Sequence, residues 1–309
     1  MAVVIAVVAL AFAANGSSSS RASGTTARRS PTSAAARSTT TVHKPAATTA
    51  APTTRPPVST VATTSTTRPP ATTATTVGAR PVGPPSGSLG AVAGKTIMLD
   101  PGHDGGNAAH PEIINQPVFI GTETKTCNTV GTETNSGYPE HAYTFDVALR
   151  VRSLLVGAGA HVVMTRSNDT GVGPCIDVRA AIGNNAHAAA AVAIHADGGP
   201  AGGRGFCVYM PALTPGYTDD IYSASHRLGL ALRDAYPGPS GIPASNYVCS
   251  GGVTESNGYG ALNLSNVPAV LFETANARNA SDAAVMTSSA GRQRIAMGIA
   301  AGIARFLAG

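Results

Sequence analysis

Residues 95–106 read KTIMLDPGHDGG. The first five, KTIML, make the short apolar run that a buried strand needs. Pro101 and Gly102 then stop the strand and form a tight turn, which presents His103 at its carboxyl end. Similar runs recur at 161–165 (HVVMT), 189–195 (AAAVAIH), 205–209 and 269–273 (AVLFE), giving a set of five strands. Helix-like stretches at 140–157, 177–187, 220–236 and 282–308 alternate with them. The last carries Ile295, Ile299, Ile303 and Phe306 at helical spacing. Alternation of this kind predicts a single α/β domain over residues 94–309, with a central, twisted, mostly parallel sheet flanked by helices. Functional residues in such a sheet gather where strands end and loops begin.

The sequence before this domain is of another kind. Residues 1–93 hold eight Lys or Arg and no acidic residue, while 94–309 hold thirteen basic and sixteen acidic ones. The formal net charge of +5 over the 309 residues is therefore not a property of the domain, which is mildly acidic. That argues against nucleic acid as a partner. With no Trp and 5% aromatics, a lectin that stacks sugars on rings is disfavoured too. No apolar run reaches the roughly 18 residues of a membrane span. Residues 2–14 are an apolar run of secretory length, with Ala11-Phe12-Ala13 as a small-x-small cleavage site. Residues 1–15 are thus expected to be a signal-peptide-like segment, exporting the protein to the cell wall, a periplasm-like space or the exterior. Residues 16–93 are Ser, Thr, Ala, Pro and Arg, with TTRPP at 53–57 and again at 66–70. Such a segment cannot bury enough surface to offset its conformational entropy, so a disordered linker is expected. Its basic charge suits weak contact with anionic wall polymers.

A second His closes the third run, in Ile194-His195-Ala196-Asp197-Gly198, and the last run ends in Phe272-Glu273. The helix near 140 begins Tyr138-Pro139-Glu140-His141, with Pro in the first turn and Glu140 expected to be exposed. Alone, a His at a strand end is more often structural, and a Glu at a helix start more often complements the helix dipole. Two His and one Glu on one sheet edge make a common catalytic zinc set, with a fourth position open for water. A further Glu nearby could take the proton of that water.

These motifs, in this order, resemble the zinc-dependent N-acetylmuramoyl-L-alanine amidases of the amidase-3 family, which cleave peptidoglycan. The resemblance covers about 95–308 and rests on IMLDPGHDGG, the Glu140 helix with Phe145-Asp146-Val147-Ala148, Met164-Thr165-Arg166 with Asp169, and the segments 177–179, 193–198 and 268–273. It implies that His103, Glu140 and His195 bind one Zn²⁺, with Glu140 rather than His141 in the family's place before the helix. It implies that Glu273 is the general base and later the acid. Zinc would polarise the lactyl carbonyl and lower the pKa of its water towards about 7. The implied substrates are peptidoglycan muropeptides, cut between N-acetylmuramic acid and L-alanine. Three departures stand out: Asp104 where Gly is usual, Ala193 where Ser is usual, and Thr274-Ala275-Asn276 after Glu273. None removes a ligand. A non-catalytic or activator-dependent peptidoglycan-binding relative is the alternative, which the intact ligand set disfavours. A carboxypeptidase would need an Arg clamp for a terminal carboxylate, and no such motif stands out.

Residues 104–139 read as a long polar loop, expected to wall the substrate groove. Four cysteines in an exported chain point to two disulfides. Of three pairings, Cys127–Cys175, which would pin the long loop to the Gly173-Pro174 turn, with Cys207–Cys249 is favoured. Asp100 is read as orienting the His103 turn or a ligand. Arg166, Asp169 and Arg179 are weighed between substrate contact and salt links, with salt links favoured. Asn263 is weighed as a contact to the peptide stem against a structural role. His110, His161, His187 and His226 are read as surface or structural, and a monomer is expected.

Overall fold

The computed structural model describes residues 86–309. The signal-like segment and the linker up to residue 85 lie outside the described residues. The last part of the expected linker belongs to the fold. Ser86–Val92 form a 3-10 helix, with Leu89 and Val92 buried in the main core. Residues three apart eclipse in such a helix, so these two share one buried face.

Strand β1 (Thr96–Pro101) leads into two short pieces, helix α1 (Pro111–Ile114) and the hairpin of β2 (Pro117–Phe119) and β3 (Thr124–Thr126). Helix α2 (Glu140–Gly157), β4 (His161–Met164), α3 (Ile176–Asn185), β5 (Ala190–Asp197) and β6 (Cys207–Pro211) follow. Then come α4 (Tyr222–Ala235), α5 (Pro237–Ser240), β7 (Val253–Ser256) and α6 (Gly260–Asn263). Strand β8 (Ala269–Asn276), α7 (Ala280–Thr287) and α8 (Ser289–Leu307) complete the chain. The main sheet runs β4-β1-β5-β8-β6-β7. Its pairs are parallel except β6 with β8. This is the expected mostly parallel sheet between helices. Among the described residues no helix is long and apolar enough to cross a membrane.

Alternation along the strands sorts side chains to two faces. On β5 and β8, Val192, Ile194, Val270 and Phe272 meet Val147, Leu232, Ile299 and Ile303 of the long helices in one core. Their neighbours Ala191, Ala193, Ala269 and Leu271 form a smaller cluster with Leu262 and Val267 on the opposite face. His195 and Glu273 continue that second series, where the covering elements α3 and α6 are short.

Three expectations need correction. The helix expected over 282–308 is two, because Ser288 is extended and its side chain accepts a hydrogen bond from Gly291 N, capping α8. Residues 104–139 are not one loop, since they contain α1 and the hairpin. Strand β7 falls in a Gly- and Ser-rich stretch without an apolar run, so periodicity did not reveal it.

Candidate active site

Strand β1 ends at Pro101, and Gly102 lets the chain pass directly over the imidazole of His195. A Cβ at Gly102 would clash with the Cε1, Nδ1 and Nε2 atoms of that ring. His103 follows with φ 60°, a left-handed conformation uncommon for a residue with a Cβ. The surroundings hold it there. Arg179 Nη2 donates to His103 O at 3.0 Å, and His103 Nδ1 lies 3.0 Å from Thr129 O. Donation by Nδ1 to that carbonyl leaves Nε2 as the ring's lone-pair nitrogen.

Glu140 opens α2 after the extended Pro139. It is buried, not exposed as the position before a helix suggested, because the loop after β3 folds over it. Thr132 N donates to Oε2 at 2.9 Å and Ala196 N to Oε1 at 3.0 Å. His103 Nε2 lies 3.1 Å from Oε2, and His195 Nδ1 lies 3.0 Å from Oε1. Burial opposes the charge on Glu140, but the charges and hydrogen bonds of His103 and His195 outweigh it. They hold the carboxyl well below the usual range. His103 shifts upward for the reciprocal reason, with Glu140 overcoming the desolvation of the ring.

His195 sits on β5 directly opposite Glu273 on β8. Its backbone is fixed by Thr274, whose Oγ1 donates to His195 O at 2.7 Å. Glu273 Oε2 is buried with no hydrogen-bond partner. Burial, then the charges of Glu140 and Asp197, push its carboxyl well above the ordinary range. His103, Glu140, His195 and Glu273 line one cavity of about 370 Å³.

One donor atom from each of His103, Glu140 and His195 lies within 4.8 Å of the other two. Two imidazoles and a carboxylate this close fit a divalent ion with a preference for nitrogen and oxygen. The orphaned Glu273 oxygen fits a group placed to meet a water at such an ion. His141 turns away, with its Nδ1 2.8 Å from Asp169 Oδ2.

The remaining candidates brace the site, Asp100 and Arg179 from the cavity wall itself. Asp100 accepts from Thr165 Oγ1 at 2.6 Å and pairs with Arg179 Nη1 at 2.5 Å. Arg179 also donates to Pro101 O and Pro174 O, tying the His103 turn to α3. Arg166 is buried and directs its guanidinium to Asp169 and to the carbonyls of Pro101, Asn168 and His141. Asn263 Nδ2 donates to Ile120 O at 3.0 Å and Asn257 O at 2.7 Å, joining the hairpin to the loop before α6. Cys127 is bonded to Cys175 and Cys207 to Cys249, with Cα separations of 4.4 and 6.1 Å. Sequence reasoning missed Thr129 and Thr132, which act through backbone atoms that any residue supplies. It also missed Lys125 and Tyr259 on the cavity wall, because isolated Lys and Tyr residues carry no spacing signal.

A family model described as N-acetylmuramoyl-L-alanine amidase matches residues 97–305. The N-acetylmuramoyl-L-alanine amidase Rv3717 of Mycobacterium tuberculosis is 40% identical over 218 residues, covering 70% of this chain and 88% of that protein. The crystal structure of the N-acetylmuramyl-L-alanine amidase Ami1 from Mycobacterium smegmatis is similar, with a TM-score of 0.66 and 42% identity. That match covers 70% of this chain and 98% of the other. The apo form of Ami1 from Mycobacterium abscessus gives a TM-score of 0.66 at 39% identity, covering 70% of this chain and all (100%) of that one.

Proposed function

The chain belongs to the N-acetylmuramoyl-L-alanine amidase family, and from that premise we propose that it hydrolyses the amide between N-acetylmuramic acid and L-alanine in peptidoglycan, with zinc as cofactor. The observation that carries the zinc reading is the convergence of His103, Glu140 and His195 in the cavity that Glu273 also lines. When bound, zinc supplies Lewis acidity, polarising the scissile carbonyl and lowering the pKa of water.

The chain's own groups do the rest. Thr129 O sets the tautomer of His103, and the amides of Thr132 and Ala196 aim the two oxygens of Glu140. Glu273 takes the proton of the attacking water and returns it to the leaving amine. A raised proton affinity suits a group with both duties. The segment 1–15 is proposed to direct export, and residues 16–85 to tether the domain within the wall.

Mass analysis of a purified disaccharide-peptide after incubation with the full chain tests this reading. The expected products are the free disaccharide, with its lactyl carboxylate restored, and a stem peptide beginning with L-alanine. Activity should vanish on chelation and return with zinc. Products cut at a peptide or glycosidic bond would overturn the assignment.

A further inference from the structure

Lys125 on β3 lines the same cavity as His103, Glu140, His195 and Glu273. The other cation on this wall is Arg179, which is buried and engaged by Asp100 and by the carbonyls of Pro101, His103 and Pro174. Asp100, Glu140, Asp197 and Glu273 are the carboxylates around the cavity. Lys125 is thus the cavity's accessible cation among the described residues. Its Nζ meets only Glu123 Oε1, at 3.0 Å, with side chains 43% and 53% exposed. An ion pair so exposed is weak and exchanges readily for another carboxylate.

The backbone beneath Lys125 is held on both sides. Ile120 O accepts from buried Asn263, and Thr122 Oγ1 donates to Asn257 O at 2.9 Å. Two residues beyond Lys125, Cys127 is bonded to Cys175, and its amide donates to Gln116 O at 2.7 Å. The ammonium therefore stands on a fixed base. Tyr259, set edge-on to Tyr209 with ring centroids 5.1 Å apart, lines the cavity with Leu271 and Ile176 and supplies apolar surface.

We infer that Lys125 is a specificity-determining residue that binds a free carboxylate of the stem peptide near the scissile amide, taking it in place of Glu123. The inference rests on the amidase reading above. In peptidoglycan the residue after L-alanine is a glutamic acid whose α-carboxyl is either free or amidated, so Lys125 would favour the free acid. An ammonium acts here as a point charge, and a neutral carboxamide offers it much less.

Steady-state hydrolysis of two muropeptides, identical except for that carboxyl or carboxamide, tests it with the zinc-loaded full chain. Lys125→Met should raise KM for the free acid about tenfold, with kcat nearly unchanged. KM for the carboxamide should change less than about twofold, and Lys125→Arg should keep the preference for the acid. An equal rise on both substrates, or none on either, would overturn the inference while leaving the amidase reading intact. If the wild-type protein cleaved neither substrate, the amidase reading would fall and the inference with it.

Discussion

A single methyl group at Gly131 would disturb two of the proposed zinc ligands, His103 and Glu140. This glycine has φ +87°, and a Cβ there would lie 2.7 Å from His103 Cδ2 and 2.8 Å from Glu140 Oε2. Gly131→Ala is therefore expected to weaken zinc binding about 10- to 100-fold, as displaced supporting groups do, measured by competition with a chelating dye. Asp100 supports the same turn. Burial opposes its charge, but Arg179 and Thr165 hold its carboxyl below the ordinary value. The unfolded chain then binds more protons in that range, so this contribution is present above the ordinary value and is lost as pH falls through the folded one. Asp100→Asn, which leaves Arg179 buried without its partner, should cost roughly 3 kcal/mol at neutral pH. It should also flatten the loss of stability as pH falls below the ordinary aspartate value of 3.8, read from denaturant midpoints. His103, His195 and Glu273 were legible because side-chain type and strand-end position coincide, and Glu140 because it opens a helix after Pro139 in the order the family resemblance implies. Gly131, Thr129 and Thr132 were not, because backbone amides, carbonyls and the lack of a Cβ leave no chemical signature in a polar stretch.

Among the elements, the hairpin and the segment after it show what periodicity leaves unread. Strands of three residues, with burial patterns of mainly exposed positions, carry no apolar alternation. The tertiary partners that hold them, Asn263 and the Cys127–Cys175 bridge, lie far away in sequence. The bridge fixes the strand that leads to Thr129 and Thr132, so stability and ligand orientation are joined there. Replacing both Cys127 and Cys175 by Ser should lower stability by about 2–4 kcal/mol in urea unfolding. Zinc affinity should fall in the same variant, and a loss of stability with unchanged affinity would uncouple the bridge from the site. The break at Ser288 was invisible for a different reason. The helical pattern of α8 continues upstream into α7, and the extended Ser288, whose Oγ accepts from Gly291 N, separates them.

For the molecule as a whole, the composition boundary and the folding boundary differ. Low complexity ends near residue 93, but Leu89 and Val92 are packed against the core beside α8. Two apolar residues in a Gly-rich stretch are too few to register as an element. A chain beginning at residue 94 should be less stable than one beginning at 86 by about 3 kcal/mol, from the apolar surface the two side chains bury. Their thermal midpoints would show it. That the sheet is mostly parallel was legible, though the order of its strands was not, because parallel strands buried on both faces read as apolar runs. Strand β7 at the edge, with intermediate and exposed residues, did not.

The proposed hydrolysis divides the labour: His103, Glu140 and His195 would hold zinc, and Glu273 would move the proton. Zinc content and turnover measured together in Glu273→Gln test it most directly. One zinc per chain, as in the wild type, is expected, with kcat reduced by about 10²- to 10⁴-fold. Loss of zinc from this variant, or near-normal turnover with zinc retained, would contradict it.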